Sequence, residues 1–221
     1  KDKRMEWFHK AKLGIFIHWG VYAVKGVSES WSFYNKYLPH DEYMKQCEGF
    51  TASKYDPKAW VELIKESGAQ YTVLTTKHHD GVALWDTKQN GISVVKNTPA
   101  KRDLVTPFVN EVRKAGLRLG LYYSLPDWSH PDYPNMTRTD VRYKDDPKRW
   151  DNFCKFNFGQ LAELNNTYKP DLYWFDGDWE MSAETWRAKE IMELLRSTNK
   201  DVIVNSRITG YGDYATPEQG V

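Results

Sequence analysis

Five short apolar runs recur along the chain with helical patterns between them: Leu13 to His18 (LGIFIH), Tyr71 to Thr76 (YTVLTT), Leu117 to Tyr123 (LRLGLYY), Asp171 to Phe175 (DLYWF) and Val202 to Asn205 (VIVN). They are apolar on both parities rather than alternating, as expected for strands covered on both faces, and strand, helix, strand repetition implies a parallel sheet with right-handed crossovers. The predicted class is α/β. No G-x-G-x-x-G follows the first run, which weakens a dinucleotide-binding, doubly wound reading and favours a TIM-like (β/α) barrel. In a barrel the C-terminal strand ends converge on one mouth. Here each run ends in reactive or hydrogen-bonding residues: His18-Trp19-Gly20, Lys77-His78-His79-Asp80, Tyr122-Tyr123-Ser124, Asp176 and Ser206-Arg207.

Helix boundaries carry their own signals. Asp56-Pro57 opens a helix whose Trp60, Leu63 and Ile64 share a face, and Gly68 closes it. Asp103 opens a second, with Leu104, Phe108, Val112 and Ala115 at helical spacing before Gly116. Asp146-Pro147 opens a third, running to about Asn165, and Ser182 caps a fourth, from about Ala183 to Ser197. With five strands visible, residues 1–221 are expected to cover about the first five to six strands of a catalytic barrel domain that continues past Val221. Two long insertions, 20–56 and 125–146, hold Trp31, Phe33, Tyr34, Tyr37, Tyr43, Trp128, His130 and Tyr133. Loops of that length inside a compact domain are usually functional, and these are expected to wall a pocket at the mouth.

The 31 basic and 30 acidic residues leave a formal charge of +1 with no like-charge block, so neither a nucleic acid nor an anionic membrane is an expected partner. No apolar run reaches the length of a membrane-spanning helix, and KDKRMEWFHK contains no apolar signal core. Cys47 and Cys154 are too few for a disulfide framework and are not spaced as zinc ligands. Glycosylation triplets begin at Asn135 and Asn165. The 15% aromatic content, with 10 Trp and 14 Tyr, suits stacking on flat ligands such as sugar rings.

The segment WFDGDWE, 174–180, delivers Asp176, Asp178 and Glu180 into a turn flanked by Trp174 and Trp179. Indoles pack on the C–H face of a pyranose, and a carboxylate beside an anomeric carbon serves as nucleophile, base or acid according to its surroundings. A solvated acidic loop is the competing reading of the same residues. His78 and His79 are adjacent, so in an extended segment only one ring would face the pocket. A shared metal is accordingly not expected, and no cofactor is called for. The metal-dependent alternative is a barrel hydrolase using His18, His78, His79 and Asp176, although such barrels favour H-x-H on a strand.

In order, GIFIHWG (14–20), TTKHHDG (75–81), LYYS (121–124), WFDGDW (174–179) and VNSR (204–207) resemble the family 29 glycoside hydrolases, the retaining α-L-fucosidases. The resemblance implies removal of terminal α-L-fucose from a fucosylated oligosaccharide or glycoconjugate through a covalent glycosyl-enzyme. It implies Asp176 as nucleophile, with His18, His78 and His79 on the sugar hydroxyls, Phe16, Tyr122 and Trp174 lining the pocket, and Arg207 beside the nucleophile. The family's S-E-W is here Ser28-Glu29-Ser30-Trp31, which matches Trp31 and, across one extra residue, Glu29. Some members use a glutamate in T-x-E as acid/base, here Thr216-Pro217-Glu218. Others use one that follows a tryptophan further along, which would lie beyond Val221. A C-terminal β-sandwich domain and a periplasmic, secreted or lysosomal location also accompany the resemblance, while oligomeric state is not readable. A barrel that binds sugar without cleaving it is the alternative function.

Overall fold

The computed structural model describes residues 2–218. Five parallel strands, β1 (Gly14–Ile17), β2 (Tyr71–Lys77), β3 (Arg118–Ser124), β4 (Leu172–Asp176) and β5 (Ile203–Val204), lie side by side in sequence order. The order never reverses, which separates this sheet from a doubly wound one. The sheet is not closed: β1 and β5 each have one paired neighbour among the described residues. It is an arc of a (β/α) barrel.

Helix α1 (Asp2–Lys10) precedes β1. The first crossover holds α2 (Trp31–Tyr34), α3 (His40–Met44) and α4 (Pro57–Glu66); the second holds α5 (Val94–Asn97) and α6 (Val105–Lys114). The third holds α7 (Pro147–Tyr168), and the fourth α8 (Ala183–Trp186) and α9 (Ala188–Thr198). Asp56, Asp146 and Ser182 each accept a backbone N–H three residues on, as their capping positions require. Asp103 takes the N–H groups of Val105 and Thr106, so it supplies the cap although the helix begins at Val105.

Strand parity divides the sheet into two faces. Leu74, Leu119, Leu121, Tyr123, Tyr173, Phe175 and Val204 pack outward against Val61, Ile64, Phe108, Val112, Leu161, Leu164 and Leu195 of the crossover helices. Phe16, Val73, Tyr122, Leu172, Trp174 and Ile203 face inward and form a second cluster with Met5, Trp7 and Phe8 of α1. The chain start thus forms a helix whose aromatics meet Tyr71 at the beginning of β2, covering the inner face at the end opposite the mouth. The fourth helix read from the sequence is broken, with Arg187 left-handed at φ 57° between α8 and α9. Buried Trp186 donates its Nε1–H to the Asp178 carbonyl, which fixes α8 to the turn after β4, and the break lets α9 realign against α7.

Both glycosylation triplets are engaged in the fold. Asn165 is 1% exposed and donates to the Leu195 carbonyl, while Asn135 donates to Glu180.

Immediately behind the mouth Lys77 is fully buried. Its Nζ donates to Tyr123 Oη (3.1 Å) and Gln160 Oε1 (2.9 Å) and stands 3.7 Å from Asp127 Oδ2. Burial pulls this ammonium down to about 8. Between about 8 and the ordinary 10.5 the unfolded chain holds a proton that the folded chain has released, so folding stability rises with pH across that window. Lys77→Met is expected to cost about 3 kcal/mol or more at pH 7 in urea unfolding, because Asp127 is left buried without its cation. It should also abolish the rise above pH 8. A loss under about 1 kcal/mol would show that Asp127 is satisfied without Lys77.

Candidate active site

The inward parity of β3 and β4 places Tyr122 opposite Trp174 and Ser124 opposite Asp176. Phe16 meets Trp174 edge-on at 5.2 Å and Tyr122 at 5.9 Å, giving an apolar floor. Asp176 stands at its margin, 9% exposed. Its Oδ1 accepts from Arg207 Nη1 at 2.6 Å and its Oδ2 from Tyr122 Oη at 2.8 Å. Burial pushes the carboxyl up, but His79, Arg207 and Tyr122 outweigh burial and hold it well below the usual carboxylate range. Asp176 is an anion at neutral pH.

His78 and His79 both lie on this inner side beside Asp176, with ring centroids 4.3 Å apart. The expectation that only one would do so fails because the extended backbone ends at Lys77: β2 shifts register between Thr75 and Lys77, and the segment then turns through Gly81 at φ 81°. A side chain at Gly81 would also meet Asp127 Oδ1 at 2.2 Å, so glycine is required there twice over. Ser124 Oγ donates to the Pro126 carbonyl, which leaves its lone pairs to accept from His79 Nδ1 at 2.6 Å. His79 Nε2 is then buried without a hydrogen-bond partner, 3.5 Å from Asp176 Oδ2. Ser30 Oγ accepts from the Asp80 N–H and lies 2.5 Å from His78 Nδ1. Tyr22 Oη lies 2.7 Å from His18 Nδ1.

Glu29, left-handed at φ 50°, sets its carboxylate between two imidazoles, 3.6 Å from His18 Nδ1 and 3.9 Å from His78 Nε2. Burial lowers both His18 and His78, so each ring is neutral at pH 7 and offers one donor and one acceptor. Trp31 packs edge-on against His79 at 5.6 Å and near-parallel to Trp179 at 6.3 Å. Phe16, His18, Glu29, Trp31, His78, His79, Tyr122, Trp174, Asp176 and Arg207 are therefore linked in one cluster at the strand ends. Among the described residues Glu218 joins it through Arg207, whose Nη2 donates to Glu218 Oε1 at 2.6 Å; the Glu218 side chain is 77% exposed.

Two triads, His18–Glu29–His78 and His78–His79–Asp176, bring their ligand atoms within 4.8 Å and so have the reach to hold a metal. The second is ill suited to a dication, because Arg207 already occupies Asp176 Oδ1 and Tyr122 occupies Oδ2. The other acids of the turn point elsewhere. Asp178 accepts from the Thr209 N–H, and Glu180 is enclosed by donors from both insertions. The residues that sequence reasoning passed over are the orienting hydroxyls of Tyr22 and Ser30; Ser124 was read only as one of the hydrogen-bonding residues that end the third run. The signal for the missed pair was adjacency alone, Ser30 sitting beside Glu29 and Tyr22 just after His18-Trp19-Gly20.

A sequence profile described as Alpha-L-fucosidase matches residues 1–221. The chain is 35% identical to the tissue alpha-L-fucosidase of Mus musculus, over 91% of this chain and 47% of the relative. It superimposes on alpha-L-fucosidase isoenzyme 1 from Paenibacillus thiaminolyticus with a TM-score of 0.92 at 35% identity, covering 100% of this chain and 56% of that one. On an alpha-L-fucosidase from Bacteroides thetaiotaomicron the TM-score is 0.82 at 33% identity, covering 98% and 51%. The chain spans about half the length of the curated relatives it matches.

Arg207→Met is expected to move the Asp176 titration upward, toward the ordinary carboxylate range, followed by carbon NMR of the carboxyl. An unmoved titration would mean that His79 and Tyr122 hold the anion without the guanidinium.

Proposed function

The chain belongs to the α-L-fucosidase family, and from that premise we propose that it supplies the sugar pocket and nucleophile of an exo-acting α-L-fucosidase. The single observation that carries this reading is a buried carboxylate kept anionic at the margin of an aromatic floor, facing a His79 nitrogen that lacks a partner. A polar ligand bearing one apolar group answers both features. In a 6-deoxyhexose the hydroxyls would meet His18, His78, His79 and Glu29, and the C6 methyl would lie against Phe16, Tyr122 and Trp174.

The mechanism proposed is retaining. Asp176 attacks the anomeric carbon, the glycosidic C–O bond breaks as its oxygen takes a proton, and the sugar is held as an ester of Asp176 with inverted configuration. Water, giving a proton to a second carboxylate, displaces Asp176 and inverts the centre again. Arg207 suits this cycle: its charge favours Asp176 as an anion, the form needed both for attack and as the departing group. For Glu218, read from the sequence as a candidate acid/base, the ion pair with Arg207 favours a narrower role, that of orienting the guanidinium. The proposed substrates are fucosylated oligosaccharides or glycoconjugates with a terminal α-L-fucose. The proposed setting is periplasmic, secreted or lysosomal, where such glycans are met. No helix among the described residues is long and apolar enough to cross a membrane. Residues 1–221 are proposed as part of the catalytic barrel domain.

Asp176→Ala should lower turnover of an aryl α-L-fucoside by roughly four orders of magnitude or more while the protein stays folded. Azide should partly rescue it and give the β-fucosyl azide, since a small anion enters from the face the carboxylate occupied. Activity within tenfold of the parent, or an α-azide product, contradicts the assignment. A parent that binds fucose without turning over any fucoside would instead fit a sugar-binding barrel.

Glu218→Gln is expected to cost less than about tenfold, evenly across leaving groups. A loss that grows with leaving-group pKa and is relieved by azide would make Glu218 the acid/base.

A further inference from the structure

Glu180 is a half-buried carboxylate with more donors than a surface acid needs. Tyr34 Oη donates to its Oε1 at 3.2 Å, and Trp128 Nε1–H reaches Oε1 and Oε2 at 3.2 and 3.3 Å. Tyr133 Oη donates to Oε2, as does Asn135 Nδ2 at 3.4 Å. A carboxylate has about four acceptor positions, and these four residues fill them. Burial and the neighbouring carboxylate push the Tyr34 phenol up to about 12, so it remains a donor.

The donors come from separate parts of the chain: Tyr34 from the insertion after β1, and Trp128, Tyr133 and Asn135 from the insertion after β3. They lead back to the site. Trp128 and Tyr34 stack at 4.0 Å, and Trp128 lies 4.6 Å from the His79 ring and 5.2 Å from Trp31. On the other side Glu180 closes a single helical turn, Asp178–Glu180, that begins two residues after Asp176. Gly177, left-handed at φ 81°, links the two and leaves no room for a side chain beside Pro126.

We propose that Glu180 is a positioning residue for the reaction at Asp176: its carboxylate ties the turn after β4 to both insertions and so fixes where His79 and Trp31 stand relative to the nucleophile. The inference rests on the fucosidase reading for its kinetic consequence. Its structural consequence stands alone, because the insertions become built-in walls of the pocket rather than mobile lids. Removing the carboxylate strands the Trp128 and Tyr133 donors in a buried place and frees the turn.

Two measurements on the full chain test this, with thermal unfolding as a check on folding. Glu180→Ala should lose hydrogen-exchange protection together in 31–38, 126–136 and 176–181. Its kcat on an aryl α-L-fucoside should fall about hundredfold with KM changed less than about threefold, the scale expected for a misplacement near 1 Å. Glu180→Gln should recover at least about a tenth of the parent kcat, because the amide oxygen can still accept from Tyr34 and Trp128 while Tyr133 reverses its hydroxyl. Protection lost with kcat within about threefold of the parent overturns the positioning role. So does a kcat loss that only tracks the unfolded fraction. Protection retained overturns the tie itself. A parent inactive on every fucoside defeats the fucosidase reading instead, and the exchange arm then decides the tie alone.

Discussion

An anionic carboxylate in a place only 9% exposed is the constraint around which the mouth of this sheet is arranged. Burial alone would drive Asp176 toward its neutral form. Three different elements oppose that: Tyr122 from β3, His79 from the turn after β2 and Arg207 from the segment after β5. None is close to Asp176 in sequence. They meet because sequential parallel strands bring all their C-terminal ends to one rim, so the fold is the condition for the charge. The other terminal nitrogen of Arg207 donates to Glu218 and to the Thr216 carbonyl. The electrostatics therefore run outward from the nucleophile to solvent through a single guanidinium.

A second consequence of the sheet is that polar groups sit on both of its faces at the same level. His78 and His79 lie on the inner side with Tyr122, while Lys77, one residue earlier, points the other way into the helical layer and is matched by Asp127, Tyr123 and Gln160. Asp127 also receives the Ser129 and His130 N–H groups and lies against Gly81. One buried cation thus stiffens the turn that carries both histidines. Asp80, pushed up to about 6 by burial and held by Tyr43 Oη and the Val82 N–H, secures the same turn from the first insertion.

What was legible in the sequence was whatever depends on local pattern. Apolar runs on both parities gave the strands to within a residue or two, and Asp-Pro pairs gave helix starts, because capping is decided by neighbours in the chain. The convergence of His18, Asp176 and Arg207 was legible as well, since strand-end position follows from the class of sheet. Illegible were features decided by three-dimensional contact. The rings of His78 and His79 share a side because the extended backbone ends at Lys77, before either histidine. The first ten residues showed only the lack of an apolar signal core, yet Met5, Trp7 and Phe8 of α1 find partners on the inner sheet face, which no local window contains. The break at Arg187 follows from the anchoring of Trp186 to a carbonyl eight residues back.

The acids of WFDGDWE show why composition alone could not assign the site. Asp176, Asp178 and Glu180 are two residues apart, share their aromatic surroundings and would be interchangeable on a uniform strand. The strand ends at Asp176, so only that acid inherits the inward parity of β4 and the cations across the rim. Gly177 then turns the backbone left-handed, and the single turn that follows sends Asp178 to the Thr209 N–H and Glu180 into the donors of the two insertions. One side chain faces the cavity because two others are committed to holding the backbone that presents it. Neutralising Asp176 would leave the turn in place, whereas releasing Glu180 would leave an intact carboxylate with no fixed address. The chemistry of a nucleophile and the mechanics of its support are written with the same functional group, a carboxylate, four positions apart, and the direction of the backbone tells them apart.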